Sequence, residues 1–157
     1  MRGKKAPVRK INTDPKYNRQ DVAKFINYIM ERGKKTVAEK IVYGSFDIIQ
    51  EKTKKSGLQI FEQAIKKVGP TVEVRGKRVG GANYQVPFPV RDERKMTLAS
   101  RWIITAASNI KGKPMAEKLA TVLIDSAKGE GSAIKKREDV HRMADANKAF
   151  AHFAKFG

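Results

Sequence analysis

Apolar positions along this chain follow two periods. From residue 18 onward most of them recur every three to four residues, the spacing of one buried face on an α-helix. Asn18 is placed to cap a first helix, with Asp21 in its opening turn. Val22, Phe25, Ile26, Ile29 and Met30 form its stripe, and Gly33 ends it. A second helix starts near Thr36, carries Val37, Ile41, Ser45, Ile48 and Ile49 on one side, and runs out over 54–57. A third is short, with Leu58, Phe61, Ile65 and Val68, and stops at Gly69-Pro70. A fourth begins near Asp92 with Met96, Ala99, Ile103, Ala106 and Ile110 inward, and ends at Gly112. Pro114 opens a fifth, whose Met115, Leu119, Val122 and Leu123 face the core before Gly129 and Gly131. Ser132 can cap a sixth. Its stripe of Val140, Met143, Ala144, Asn147 and Ala151 is weakly apolar, so it should pack least tightly.

Between the third and fourth helices the period falls to two. Residues 74–91 read VRGKRVGGANYQVPFPVR. Tyr84, Val86, Phe88 and Val90 share one face of a strand, and Pro87 and Pro89 share the other. The two prolines lack N–H groups on one edge, which suits an edge strand and argues against pairing on both sides. Residues 72–79 would pair with it through the turn Gly80-Gly81-Ala82-Asn83. The expected object is a two-stranded ribbon over 72–90, about 25 Å long at about 3.3 Å per residue. Its apolar base is Val72, Val74, Phe88 and Val90, and Arg75, Lys77 and Arg78 lie further out. A free hairpin is marginal in water, so the ribbon should be mobile until a partner holds it. The fold class expected is mainly α: one helical domain of about six helices over 18–157, with a protruding two-stranded β-hairpin.

Composition adds the partner. The 157 residues hold 34 Lys+Arg against 16 Asp+Glu, a net charge of +18, while 40% of the chain is hydrophobic. A core is therefore available, and self-repulsion of that size points to a polyanion. Nucleic acid fits better than a membrane, because no apolar run approaches the roughly 20 residues that spanning needs. The basic start, MRGKKAPVRK, is not followed by an apolar stretch and does not read as a secretory signal. There is no cysteine, which excludes disulfide and thiolate chemistry and fits a reducing compartment.

The cations cluster. Arg2, Lys4, Lys5, Arg9 and Lys10 fall in the first ten positions with no acid among them, and 1–17 reads as a basic, extended arm. Arg94 and Arg101 are seven apart, within about 20° of each other on the helical wheel, with Arg91 near the same face. Arginine forks suit phosphate oxygens. Lys34 and Lys35, then Lys111, Lys113 and Lys118, punctuate helix ends and loops, as do Arg32, Lys52, Lys54 and Lys55. Helix ends favour such cations through the dipole alone, so the set carries more weight than any member. Phe150, His152, Phe153 and Phe156, with Lys148 and Lys155, could stack on bases or fold back on the domain.

Signals for catalysis are poor. His141 and His152 are the only histidines and have no metal-ligand spacing. His141 beside Glu138 and Asp139 reads as a surface helix residue. The GKKT at 33–36 has Lys35 where a phosphate-binding loop needs Ser or Thr, and Tyr28 where its first glycine belongs. No cofactor, metal site or catalytic residue is expected.

Three stretches carry a resemblance. GKK at 33–35 with KIVYGS at 40–45, VEVRGKRVGGANYQVPFPV at 72–90, and KREDVHRMADANKAFAHF at 136–153 resemble the bacterial small-subunit ribosomal protein seven family. The likeness covers nearly the whole chain, and departs from the family pattern in the closing HFAKFG, where many members carry an aromatic–Arg–Trp tail. It implies a mostly helical fold with a protruding hairpin, and a cytoplasmic place in the ribosome. It implies binding to the head of small-subunit rRNA early in assembly, near the exit-site tRNA and the mRNA path, beside ribosomal proteins nine and eleven. The elements implied to touch rRNA are the N-terminal arm, Lys34 and Lys35, the ribbon with Arg75, Lys77 and Arg78, and the arginines of the fourth helix. A helical DNA-binding or architectural protein is the alternative reading of the same charge.

Overall fold

A computed structural model describes Gly3 and residues 11–155. Among these residues it contains α1 (Gln20–Ile29), α2 (Lys35–Thr53), α3 (Gly57–Val68), β1 (Val72–Val79), β2 (Ala82–Pro89), α4 (Asp92–Asn109), α5 (Met115–Lys128), α6 (Ser132–Ala146) and a 3-10 helix, Lys148–Lys155. The fold is mainly α with one antiparallel hairpin, as the two periods require. The chain divides into two compact units, one ending at Lys40 and the other beginning at Ile41.

In the N-terminal unit the entry to α1 differs from expectation. Arg19, not Asn18, is the cap residue, and Asn18 adopts a left-handed conformation with φ 53°. The reason is Asp14. Its carboxylate accepts the backbone N–H groups of Lys16 and Tyr17 at 3.1 and 2.9 Å, and its carbonyl accepts the N–H of Asn18 at 2.8 Å. That tight loop commits Asn18 to the turn, so its side chain accepts from the Thr13 hydroxyl instead. Asp21 stands in the first turn and accepts from the Arg19 guanidinium at 2.6 and 3.1 Å. Burial alone would raise the Asp21 pKa; hydrogen bonds from Arg19 and the Val22 N–H, with the Arg19 charge, outweigh it and hold the carboxyl below its ordinary value.

The stripe of α2 is rotated from the expected one. Ala38, Val42, Ser45, Phe46 and Ile49 are buried, Ile41 and Ile48 are half-buried, and Val37 is 49% exposed. Phe46 sets this phase. In the C-terminal unit its ring meets Phe61 of α3 at 5.7 Å, and a Cβ on Gly57 would fall 2.6 Å from the Phe46 Cβ. The first turn of α3 therefore rests directly on α2.

In α3 the stripe is shifted, with Ile60 and Ala64 buried while Leu58 and Ile65 are half-buried; in α4 and α5 the expected centre holds, and Met96, Ile110 and Met115 at the ends are half-buried. Ile60, Phe61, Ala64 and Val68 of α3, Ala99, Ile103, Ala106 and Ala107 of α4, and Leu119, Ala120, Val122 and Leu123 of α5 are buried. These three helices pack on one another, and α6 lies against all of them and against β1. Basic side chains tie the ends: Lys67 donates to the Lys128 carbonyl at the end of α5, and Arg137 donates to the Lys67 carbonyl at the end of α3. Both place positive charge on a helix C-terminus, where the dipole favours it. The sixth helix starts at Ser132 itself, with Gly131 as the cap residue, and it ends at Ala146 rather than running through Ala151. Met143, expected inward, is 50% exposed. No described helix is long and apolar enough to cross a membrane.

Candidate functional site

The ribbon spans the expected residues but turns more sharply. Val79 pairs with Ala82, so the loop is Gly80-Gly81 alone. Both glycines have positive φ, 57° and 89°, the conformation a two-residue hairpin needs and one that side chains disfavour. The Val90 N–H donates to the Thr71 carbonyl at 3.0 Å. Residues two apart share an edge, so Val86 and Phe88 also face β1, and Pro87 and Pro89 face the open edge. The prolines thus stand where no ladder bond is lost.

Register sorts the charges. Glu73, Arg75 and Lys77 share a face with their partners Phe88, Val86 and Tyr84, while Arg78 projects from the other face opposite Asn83. The shared face is not bare. Tyr84 packs on the rings of Phe150 and Phe153 at 5.1 and 5.2 Å, and Lys77 Nζ donates to the Phe153 carbonyl at 2.9 Å. Phe150 and Phe153 therefore fold back on the ribbon. His152 is exposed, with its ring 4.0 Å from Phe153, and Phe156 lies outside the described residues. His141 serves the fold: its Nε2 accepts the Thr71 N–H at 3.2 Å and holds α6 to the entrance of the ribbon.

At the ribbon base three arginines meet. Arg75, Arg91 and Arg94 line one cleft of about 520 Å³ together with Phe88, Pro89 and Val90. Glu73 organises it. This carboxylate, 7% exposed, accepts Arg75 Nε at 2.6 Å and an Arg75 terminal N–H on Oε1, and Arg94 Nε at 3.1 Å on Oε2. Burial would raise its pKa; the hydrogen bonds from Arg75 and then Arg94, with their charges, outweigh burial and hold it below the ordinary glutamate value. Arg91 is the cap residue of α4, and its side chain makes no ion pair or hydrogen bond among the described residues. Such a cleft sets arginine side chains beside the apolar Phe88, Pro89 and Val90, a lining whose charge suits an anion.

The other cations named from sequence spread along the chain. Arg101 is exposed further along α4, Lys111 and Lys113 are exposed in the α4–α5 connection, and Lys118 is half-buried on α5. Lys34 and Lys35 are exposed at the start of α2, within the N-terminal unit. Arg2, Lys4, Lys5, Arg9 and Lys10 lie outside the described residues. No group of three His, Cys, Asp or Glu that could hold a metal occurs among the described residues. The sequence reading missed Glu73: an acid two residues before an arginine on a strand was its only local trace, and its second partner is 21 residues away.

Residues 1–148 match the family described as ribosomal protein S7p/S5e. The chain belongs to that family. It is 56% identical to the small ribosomal subunit protein uS7 of Thermotoga petrophila over 153 residues, 98% of this chain and 99% of the relative. The protein of the same name from Azoarcus sp. is 54% identical, with 97% of each chain covered, and that from Helicobacter hepaticus 52% identical, with 98% and 99% covered. This is a family of ribosomal proteins and not of enzymes.

Proposed function

We propose that this chain is a structural component of the small ribosomal subunit that works in the cytoplasm by binding small-subunit rRNA. The observation that carries the reading is the arginine cleft: Arg75, Arg91 and Arg94 converge at the ribbon base in a chain of net charge +18. Electrostatic attraction to phosphate supplies affinity, and the ribbon and helix surfaces supply fit to folded RNA. Within this reading the target is the head domain, the 3′ major domain, of that rRNA. Binding there early would nucleate head assembly. The chain would sit near the exit-site tRNA and the mRNA path, with ribosomal proteins nine and eleven as neighbours. Arg78, Arg101, Lys34, Lys35, Lys111, Lys113, Lys118 and the basic residues Arg2, Lys4, Lys5, Arg9 and Lys10 extend the contact beyond the cleft. Lys77 contributes from a more restricted place, since its amine already donates to the Phe153 carbonyl.

Competition tests the reading. Labelled rRNA head fragment bound to the protein is challenged with unlabelled fragment or with duplex DNA of equal phosphate content. The fragment should displace the label at far lower concentration. Equal displacement by DNA would favour a general architectural binder.

A further inference from the structure

Three facts about Arg75 go beyond charge. Its guanidinium is pinned along one edge by Glu73, it lies over the Phe88 ring with Cζ 5.2 Å from the centroid, and its side chain is still 57% exposed. A guanidinium held at its edge by Glu73, over a ring, and with its side chain more than half exposed can offer a flat surface to a ligand. Unpaired RNA bases stack on such planes as they do on aromatic rings. We propose that Arg75 is a stacking platform for one unpaired RNA base, with Arg91 and Arg94 holding a phosphate of the same nucleotide. The inference rests on the RNA-binding reading above and specifies what the cleft takes.

Glu73 is the strongest argument. A site built only to attract phosphate is weakened by a buried carboxylate beside its arginines, since the acid cancels one of three positive charges. Burying it is also costly unless it is fully bonded. Its presence makes sense where the orientation of Arg75 matters more than the charge of the cleft. The rest of the lining agrees. Phe88, Pro89 and Val90 give the cleft an apolar wall that a phosphate has no use for and a base does. Its volume of about 520 Å³ lies in the range that encloses small ligands. Arg94 commits only Nε to Glu73, so both its terminal amino groups remain for a ligand, and Arg91 commits none among the described residues.

The test is a comparison of signs. Affinity for the rRNA head fragment is measured for the parent chain, Glu73→Gln and Arg75→Lys, each at several salt concentrations. Glu73→Gln raises the net charge by one and releases two arginines, so simple phosphate attraction predicts tighter binding; the platform predicts weaker binding. Arg75→Lys keeps the charge and removes the plane. The platform predicts a loss of about tenfold, in keeping with one lost base stack, with the salt slope unchanged. Should Glu73→Gln unfold the ribbon, Arg75→Lys carries the test alone, since it leaves the acid a cationic partner. Tighter binding by Glu73→Gln, or Arg75→Lys within twofold of the parent, overturns the platform while leaving the RNA-binding reading standing. Failure of the parent chain to bind the fragment at all overturns both.

Discussion

Glu73 is where chemistry is most concentrated in this molecule. Among the described acidic residues only Asp14 and Glu73 are buried, and the two are stabilised differently. Asp14 turns inward to cap backbone N–H groups of its own loop, whereas Glu73 joins a strand to a helix through two arginines. That junction has a pH signature. The folded pKa of Glu73 is held below its ordinary value. Its contribution to stability is therefore complete above the ordinary glutamate range and is lost as pH falls through the lowered folded value. Thermal melting of the parent chain should lose stability on acidification below about pH 4.3, the unperturbed glutamate value, and Glu73→Gln should show a shallower loss across the same window. Equal acid slopes in the two proteins would mean that the Glu73 pair contributes nothing. Asp21 is depressed for a similar reason and remains in both proteins, so the difference between them isolates Glu73.

At the level of elements, the ribbon has a support that its own sequence does not announce. Two strands alone are marginal, and here a 3-10 helix lies against β2. Tyr84 meets two phenylalanines, and aromatic pairs add about 0.5–1.5 kcal/mol each beyond their buried area. Tyr84→Ala should therefore lower the local opening free energy of the ribbon by about 1–3 kcal/mol, read as faster amide hydrogen exchange in β1 and β2. Tyr84→Phe should retain protection, because the rings and not the hydroxyl make the contact. Unchanged exchange in Tyr84→Ala would show that the 3-10 helix does not support the ribbon. Much of this level was legible from the chain. Six helices and the hairpin followed from the period of the apolar residues, and Gly69-Pro70, Pro114 and Gly129 marked ends that the structure keeps. What was not legible depended on distant residues. The phase of α2 is set by Phe46 against Phe61, the cap of α1 by Asp14 drawing Asn18 into a turn, and the backing of Tyr84 by rings more than 60 positions away. Local periodicity contains none of those contacts. Arg75, Arg91 and Arg94 were each named from the sequence; that they share one cleft follows from the fold, which lays the ribbon base beside the start of α4.

For the whole molecule, charge and family point the same way. A net charge of +18 opposes a compact chain on its own and suits one that works against phosphate. Membership of a ribosomal protein family names the setting, and in the function proposed above the cleft would give the contact geometry as well as sign. The most direct test is the salt dependence of binding to the rRNA head fragment, for the parent chain and for the Arg91→Ala/Arg94→Ala double variant. Each phosphate contact adds about 0.7–0.9 to the slope of log affinity against log salt. The parent should lose affinity steeply as salt rises, and the double variant should bind more weakly with a slope shallower by about 0.7–0.9, the share of the one phosphate the two arginines hold. A flat slope for the parent, or the same slope and affinity in both proteins, would contradict the account.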